Sequence, residues 1–144
     1  MTFPAEFELS NLNGSNGFAL NGINRGGDSG FSVSSAGDIN GDGLDDLIIG
    51  APDASPNERY SGQSYVVFGS NGGFSSSLNL STLNGSNGFT INGINTSDFS
   101  GSSVSSAGDI NGDGFDDLII GATGADPNGS SSGQSYVVFG SNGG

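Results

Sequence analysis

Apolar positions along this chain come in short bursts, not in the three-and-four spacing of a helix. "FSVSSAGDI" (31 to 39) alternates small and larger residues, "DLIIGA" (46 to 51) is a compact β-branched run, and "QSYVVFG" (63 to 69) is another. Each is bounded by Gly, Asn, Ser or Pro, which predicts strands separated by turns. A weaker strand reads as "GFTINGI" (88 to 94), with "GFALNGI" (17 to 23) as its counterpart. In "YVVF" the apolar side chains fall on both faces of the strand, so both faces of the sheet should be covered.

The bursts recur. Asp38 returns as Asp109, an offset of 71, and the same offset carries Leu12 to Leu83, Gly50 to Gly121, Gln63 to Gln134 and Phe68 to Phe139 without insertion or deletion. About three quarters of the paired positions between 10 to 73 and 81 to 144 are identical. Repetition at a fixed period points to stacked supersecondary units. Four short antiparallel strands per unit, sandwiched between neighbours, describe an all-β protein of propeller blades, two per chain. Two small β-sandwiches in tandem are the alternative, and they account less well for strands that are apolar on both sides.

Composition narrows the partners. Fifteen Asp and Glu stand against two Arg and no Lys, a formal net charge of -13, so nucleic acid and anionic membrane are poor partners. The absence of Cys removes disulfides and thiol chemistry, and the absence of His removes the usual general base and the commonest transition-metal ligand. No apolar run reaches the ~20 residues that span a bilayer. "MTFPAEFELS" lacks the parts of a signal peptide, so the protein is expected either inside the cell or as a mature segment of something longer.

The charge is concentrated in "GDINGDGLDD" from Gly37 and "GDINGDGFDD" from Gly108. Both loops read D-x-N-x-D-G-x-x-D between the first and second strands of a unit. Asp38, Asn40, Asp42 and Asp46 take positions one, three, five and nine, with the Leu44 carbonyl at seven. In the second copy the set is Asp109, Asn111, Asp113, Asp117 and the Phe115 carbonyl. Hard oxygen donors on alternate residues of a tightly turned backbone suit calcium, which takes six to eight oxygens in flexible geometry; magnesium demands a near-ideal octahedron. One calcium per repeat, two per chain, is the expectation. An EF-hand is excluded, because position twelve from Asp38 is Ile49, not a bidentate Glu. Asp45 and Asp116, at position eight, are expected to face solvent. Asp and Asn also make plain hairpin turns, but a turn needs only Asn and Gly, and four carboxylates in nine residues repel.

These residues resemble the FG-GAP repeat, the blade of the integrin alpha-subunit propeller and of many bacterial surface proteins; the likeness rests on "GDINGDGLDDLIIGAP" and covers both units. The resemblance implies a propeller with calcium loops on its lower face, and an extracellular or cell-surface location with a role in adhesion. The sequence departs from the family at the Phe-Gly pair, which reads Ser29-Gly30 and Ser100-Gly101, and at Gly121-Ala122-Thr123, where the first copy has Gly50-Ala51-Pro52.

Two blades do not close a ring of four to eight. The phase of the chain suggests how closure happens. Residues 1 to 30 form an outer-strand segment that completes a blade of another copy, 31 to 101 form the first blade, and 102 to 144 form a second blade lacking its outer strand. A ring completed by oligomerisation then holds three chains with six blades (a homotrimer) or four with eight (a homotetramer). A fragment of a longer repeat protein is the alternative.

The two units differ mainly in residues 25 to 31 against 96 to 102 and 52 to 60 against 123 to 131. In the family's geometry these connections lie opposite the calcium loops, so Arg25, Asp53, Glu58, Arg59, Tyr60 and Asp126 are the candidate contacts for a protein or glycan ligand. Exposed loops also drift when nothing packs on them. Catalysis is not expected. No His or Lys activates a Ser, and Asp28, Asp53, Glu58, Asp98 and Asp126 form no carboxylate pair at a defined spacing. A glycan-binding surface module is the alternative to a structural or protein-interaction scaffold.

Overall fold

A computed structural model describes residues 4 to 142. Among the described residues helix is limited to two single turns, Leu9–Asn11 and Leu80–Thr82, which are themselves 71 residues apart. The nine strands are β1 (Ala19–Asn21), β2 (Ser32–Gly37), β3 (Asp46–Ala51), β4 (Gln63–Val67), β5 (Ser77–Asn79), β6 (Gly88–Asn92), β7 (Ser100–Gly108), β8 (Asp117–Ala122) and β9 (Gln134–Val138). β2, β3, β4 and β6 make a four-stranded antiparallel sheet in that order, and β7, β8 and β9 make a three-stranded antiparallel one. β1 and β5 form a separate parallel pair, with Ala19 opposite Ser77. No described helix is long and apolar enough to cross a membrane.

The inner strands of the first sheet are covered on both faces, as the two-faced "YVVF" strand requires, while Val33 of β2 and Leu47 of β3 stay exposed. Ile48 and Val66, opposite each other in register, pack with Ala36 and Ile39 against Val104, Leu118 and Ile120 of the second sheet. Ile49, Ala51, Tyr65 and Val67 point the other way, under Leu80, Phe74, Leu78, Leu83 and Leu20. Each fully buried Ile or Val in such a core contributes about 1.5–3 kcal/mol. The second sheet has only one face covered: Ile119, Val137 and Phe139 on the other are exposed.

Close backbone approach joins the two sheets. A Cβ on Gly62 would lie 2.1 Å from the Ser100 carbonyl oxygen, and Gly62 and Ser100 form an isolated parallel bridge. Gly50 meets the Gly101 carbonyl equally closely. Only glycine permits this spacing.

Two expectations shift. "GFALNGI" shortens to Ala19–Asn21 because its only strand partner is β5. The polar strand β5 and the two helical turns were not anticipated; their signal lies in the recurrence of "FELSN" as "LNLST" at the repeat offset.

Candidate metal centre

Each acidic loop begins where the first strand of a sheet ends and closes where the second begins, so Asp38 and Asp46 are carried by the ends of β2 and β3. Inside the loop the side chains wind the backbone. Asp38 Oδ1 accepts the N–H groups of Gly41 (2.8 Å) and Asp42 (3.0 Å), and its Oδ2 accepts that of Gly43 (2.9 Å). Asn40 Oδ1 takes the Asp42 N–H and Asp42 Oδ1 takes that of Leu44. These are Asx turns, which hold a backbone without help from a sheet. Gly41 and Gly43 sit at φ +74° and +83°, a conformation other residues adopt at a cost.

Asp46 is fully buried. Its Oδ2 accepts the Ile39 N–H (3.1 Å) and its Oδ1 the Gly69 N–H (2.8 Å), which ties the loop to the segment after β4. Burial pushes its carboxyl above the ordinary range; the Gly69 and Ile39 N–H groups oppose that shift, and Asp42 and Asp38 add to it. The second loop repeats the pattern: Asp109 accepts Gly112, Asp113 and Gly114, while buried Asp117 accepts Ile110 and Gly140. The N–H groups, led by that of Gly114, hold the Asp109 carboxyl below its usual value.

The residues fit calcium by donor chemistry. The polar side chains within each loop are all carboxylates or amides, both arginines lie elsewhere in the sequence, and the backbone N–H bonds orient the carboxylates as outer-shell partners do at metal sites. The side chains do not stand as a finished cage: no three acidic residues among those described are gathered at metal-holding distance. Asn40 Nδ2 instead donates to Asp42 Oδ2 (3.0 Å), and Asn111 Nδ2 to Asp113 Oδ2 (2.8 Å), so a cation in either loop would have to displace that hydrogen bond. The Leu44 and Phe115 carbonyls would be the fifth donor of each set.

Asp116 departs from expectation. Its Oδ2 accepts the Asp38 N–H (2.9 Å), while its own N–H donates to the Asp38 carbonyl (3.2 Å), so it links one loop to the other and is half-buried. Asp45, its counterpart, is exposed.

The candidate ligand-contacting residues gather only in part. The connections 52 to 62 and 93 to 99 lie at the end of the sheets away from the acidic loops, and there Glu58, Arg59 and Tyr60 meet the second unit. The Ser97 N–H donates to the Arg59 carbonyl, Tyr60 stacks on Phe99 at 5.9 Å, and Thr96 Oγ1 donates to Glu58 Oε2 (3.4 Å). The Arg59 guanidinium lies 4.7 Å above the Tyr60 ring. Arg25 is exposed and Asp53 half-buried, near the contact of Gly27 with Ala54. Asp126 is exposed in the second unit, where it accepts the Ser131 N–H. Buried Asp98 caps its own turn through the Asn95 N–H (3.1 Å).

Short antiparallel sheets stacked face to face, each opened by the same acidic loop, define a β-propeller-like repeat module. The FG-GAP repeat matches residues 29–67 and 100–138, together more than half of the chain, and the chain belongs to that family. Comparison with curated proteins gives no match.

Proposed function

We propose that this chain is a calcium-binding repeat module that acts as a structural or protein-interaction scaffold at the cell surface or outside the cell. Each chain supplies two blades to a ring of six or eight, closed by three or four identical chains. The observation that carries the calcium reading is the twice-repeated loop in which Asp38, Asn40, Asp42 and Asp46, or Asp109, Asn111, Asp113 and Asp117, offer only oxygen donors. Bound there, calcium offsets the mutual repulsion of the carboxylates and the cost of burying Asp46 and Asp117. The surface around Arg25, Asp53, Glu58 and Arg59 is the ligand face of this reading, and no catalytic role is assigned.

Isothermal titration calorimetry tests it. Two calcium ions per chain are expected, with dissociation constants of ~10⁻⁴ to 10⁻³ M as in other extracellular modules. Asp42→Ala should leave one. No heat above dilution in the unsubstituted chain at millimolar calcium overturns the proposal.

A further inference from the structure

The junction between the two sheets is a template for a second junction that one chain cannot make. Val66 of the first sheet is 0% exposed and Ile39 4%, while their counterparts 71 residues on, Val137 and Ile110, are 44% and 56% exposed. On the facing side the order reverses: Val104 of the second sheet is 9% exposed and its counterpart Val33 is 67%. The outer segment shows the same contrast, since Leu80 is 1% exposed and Leu9 77%. The apolar groups left bare thus belong to the two complementary halves of the contact already formed, one on each unit; Ile49, the counterpart of Ile120, already packs with Tyr65, Val67 and Leu80.

The polar contacts split in the same way. Across the junction Ser32 Oγ donates to the Gly101 carbonyl (2.8 Å) and the Asp38 N–H to Asp116. The counterparts Ser103 and Asp109 are exposed on the second unit, and Gly30 and Asp45 are exposed on the first. β4 has β3 on one edge and β6 on the other, whereas β9 has only β8 and β1 only β5. A bare edge beside a bare apolar face invites strand addition.

We propose that the bare face and edge of the second sheet take the first unit of another copy of this chain, head to tail. Residues 17 to 21 of that copy add antiparallel to β9 in the register β6 has on β4. Because Tyr65 stands opposite Thr90, Tyr136 stands opposite Ala19 of the second copy. Ile119 and Val137 then lie against Val33 and Leu47, and Asp45 accepts the Asp109 N–H. The partner is a second copy because this chain carries every group that the junction uses, in two sets that cannot meet each other. The contact is heterologous, so it propagates. It deepens the propeller-like reading above, on which it rests, but it does not depend on calcium.

The test uses the full chain with calcium, by native mass spectrometry. The unsubstituted chain should run as a multimer. Val137→Glu and Val33→Glu should each fall to a single chain of 14.2 kDa, with calcium content unchanged. Mixed in equal amounts, they should form one-to-one dimers and nothing larger, since only one good half remains on each. A monomeric unsubstituted chain overturns the inference. So does a multimer that survives Val33→Glu but not Val137→Glu, which marks a symmetric face-to-face pair. Should the charged variants fail to fold, a doubly substituted chain, Ala19→Cys with Tyr136→Cys, decides in the cysteine-free background. Disulfide-linked multimers on a non-reducing gel support the register, and a monomeric band overturns it. Cross-linked multimers without bound calcium would sink the calcium reading and leave this one standing.

Discussion

The loops at 38 to 46 and 109 to 117 differ at one of nine positions, Leu44 against Phe115. Their internal hydrogen bonds match within 0.2 Å. Their surroundings do not match. The first loop lies under the second unit: the Phe115 ring sits over Gly41, Asp116 binds the Asp38 N–H, and Ile39 is buried. Around Gly112, the counterpart of Gly41, there is open space, and Ile110 is exposed. Loop conformation is therefore set locally by Asx turns, while loop environment is set by the neighbouring blade. The one residue that differs between the loops, Phe115, is among those that reach across.

The largest effect expected from this asymmetry is at Gly62 and Gly133, which share a repeat position and φ of +84° and +75°. Alanine costs about 1–2 kcal/mol at either for its left-handed backbone. At Gly62 it also drives a Cβ into the backbone of Ser100, whereas at Gly133 the nearest atom is 3.9 Å away. Gly62→Ala should cost a further 1–3 kcal/mol or so in urea unfolding, as overpacking does. Gly133→Ala should leave the chain folded. Equal losses would mean that the backbone contact between the sheets contributes nothing.

Next in size is Asp46→Ala, which strands the Ile39 and Gly69 N–H groups beside a buried cavity. A loss of about 2–4 kcal/mol is expected, along with the first calcium site, and chemical denaturation followed by calorimetry checks both. Asp117→Ala should act alike on the second site. Chelation should remove both proposed ions at once, and at millimolar calcium each is expected to contribute on the order of 1 kcal/mol. The melting temperature should therefore fall by roughly 5–10 °C in excess EDTA, read by circular dichroism. An unchanged melt contradicts calcium binding. The smallest effect is Asp116→Ala. It removes an anchor of the first loop only and should weaken that site by about 3- to 10-fold, the equivalent of one hydrogen bond. The second site should be unaffected.

Much of the architecture was legible because the physics was local. "DLIIGA" became a strand over its whole length, and the acidic loops appear where alternating Asp and Asn put them. Contacts between units were not legible. Asp116 looked solvent-facing because its partner lies 78 residues away. Tyr60 differs from Ser131, and the ring against which it stacks, Phe99, is itself the replacement for Asp28; neither spacing nor composition pairs the two. Those two substitutions meet at the junction, so part of the divergence between the repeats reflects their different neighbours. Asp98 likewise replaces a glycine, Gly27, and caps a turn that the first unit makes without it.

The seam where Gly50 rests on Gly101 fixes how far one sheet swings relative to the next. In the head-to-tail assembly proposed above, that single angle would decide whether the series bites its own tail as a disc or winds on as a fibre. One methyl group placed in the seam would change the pitch, and with it the number of subunits in a turn.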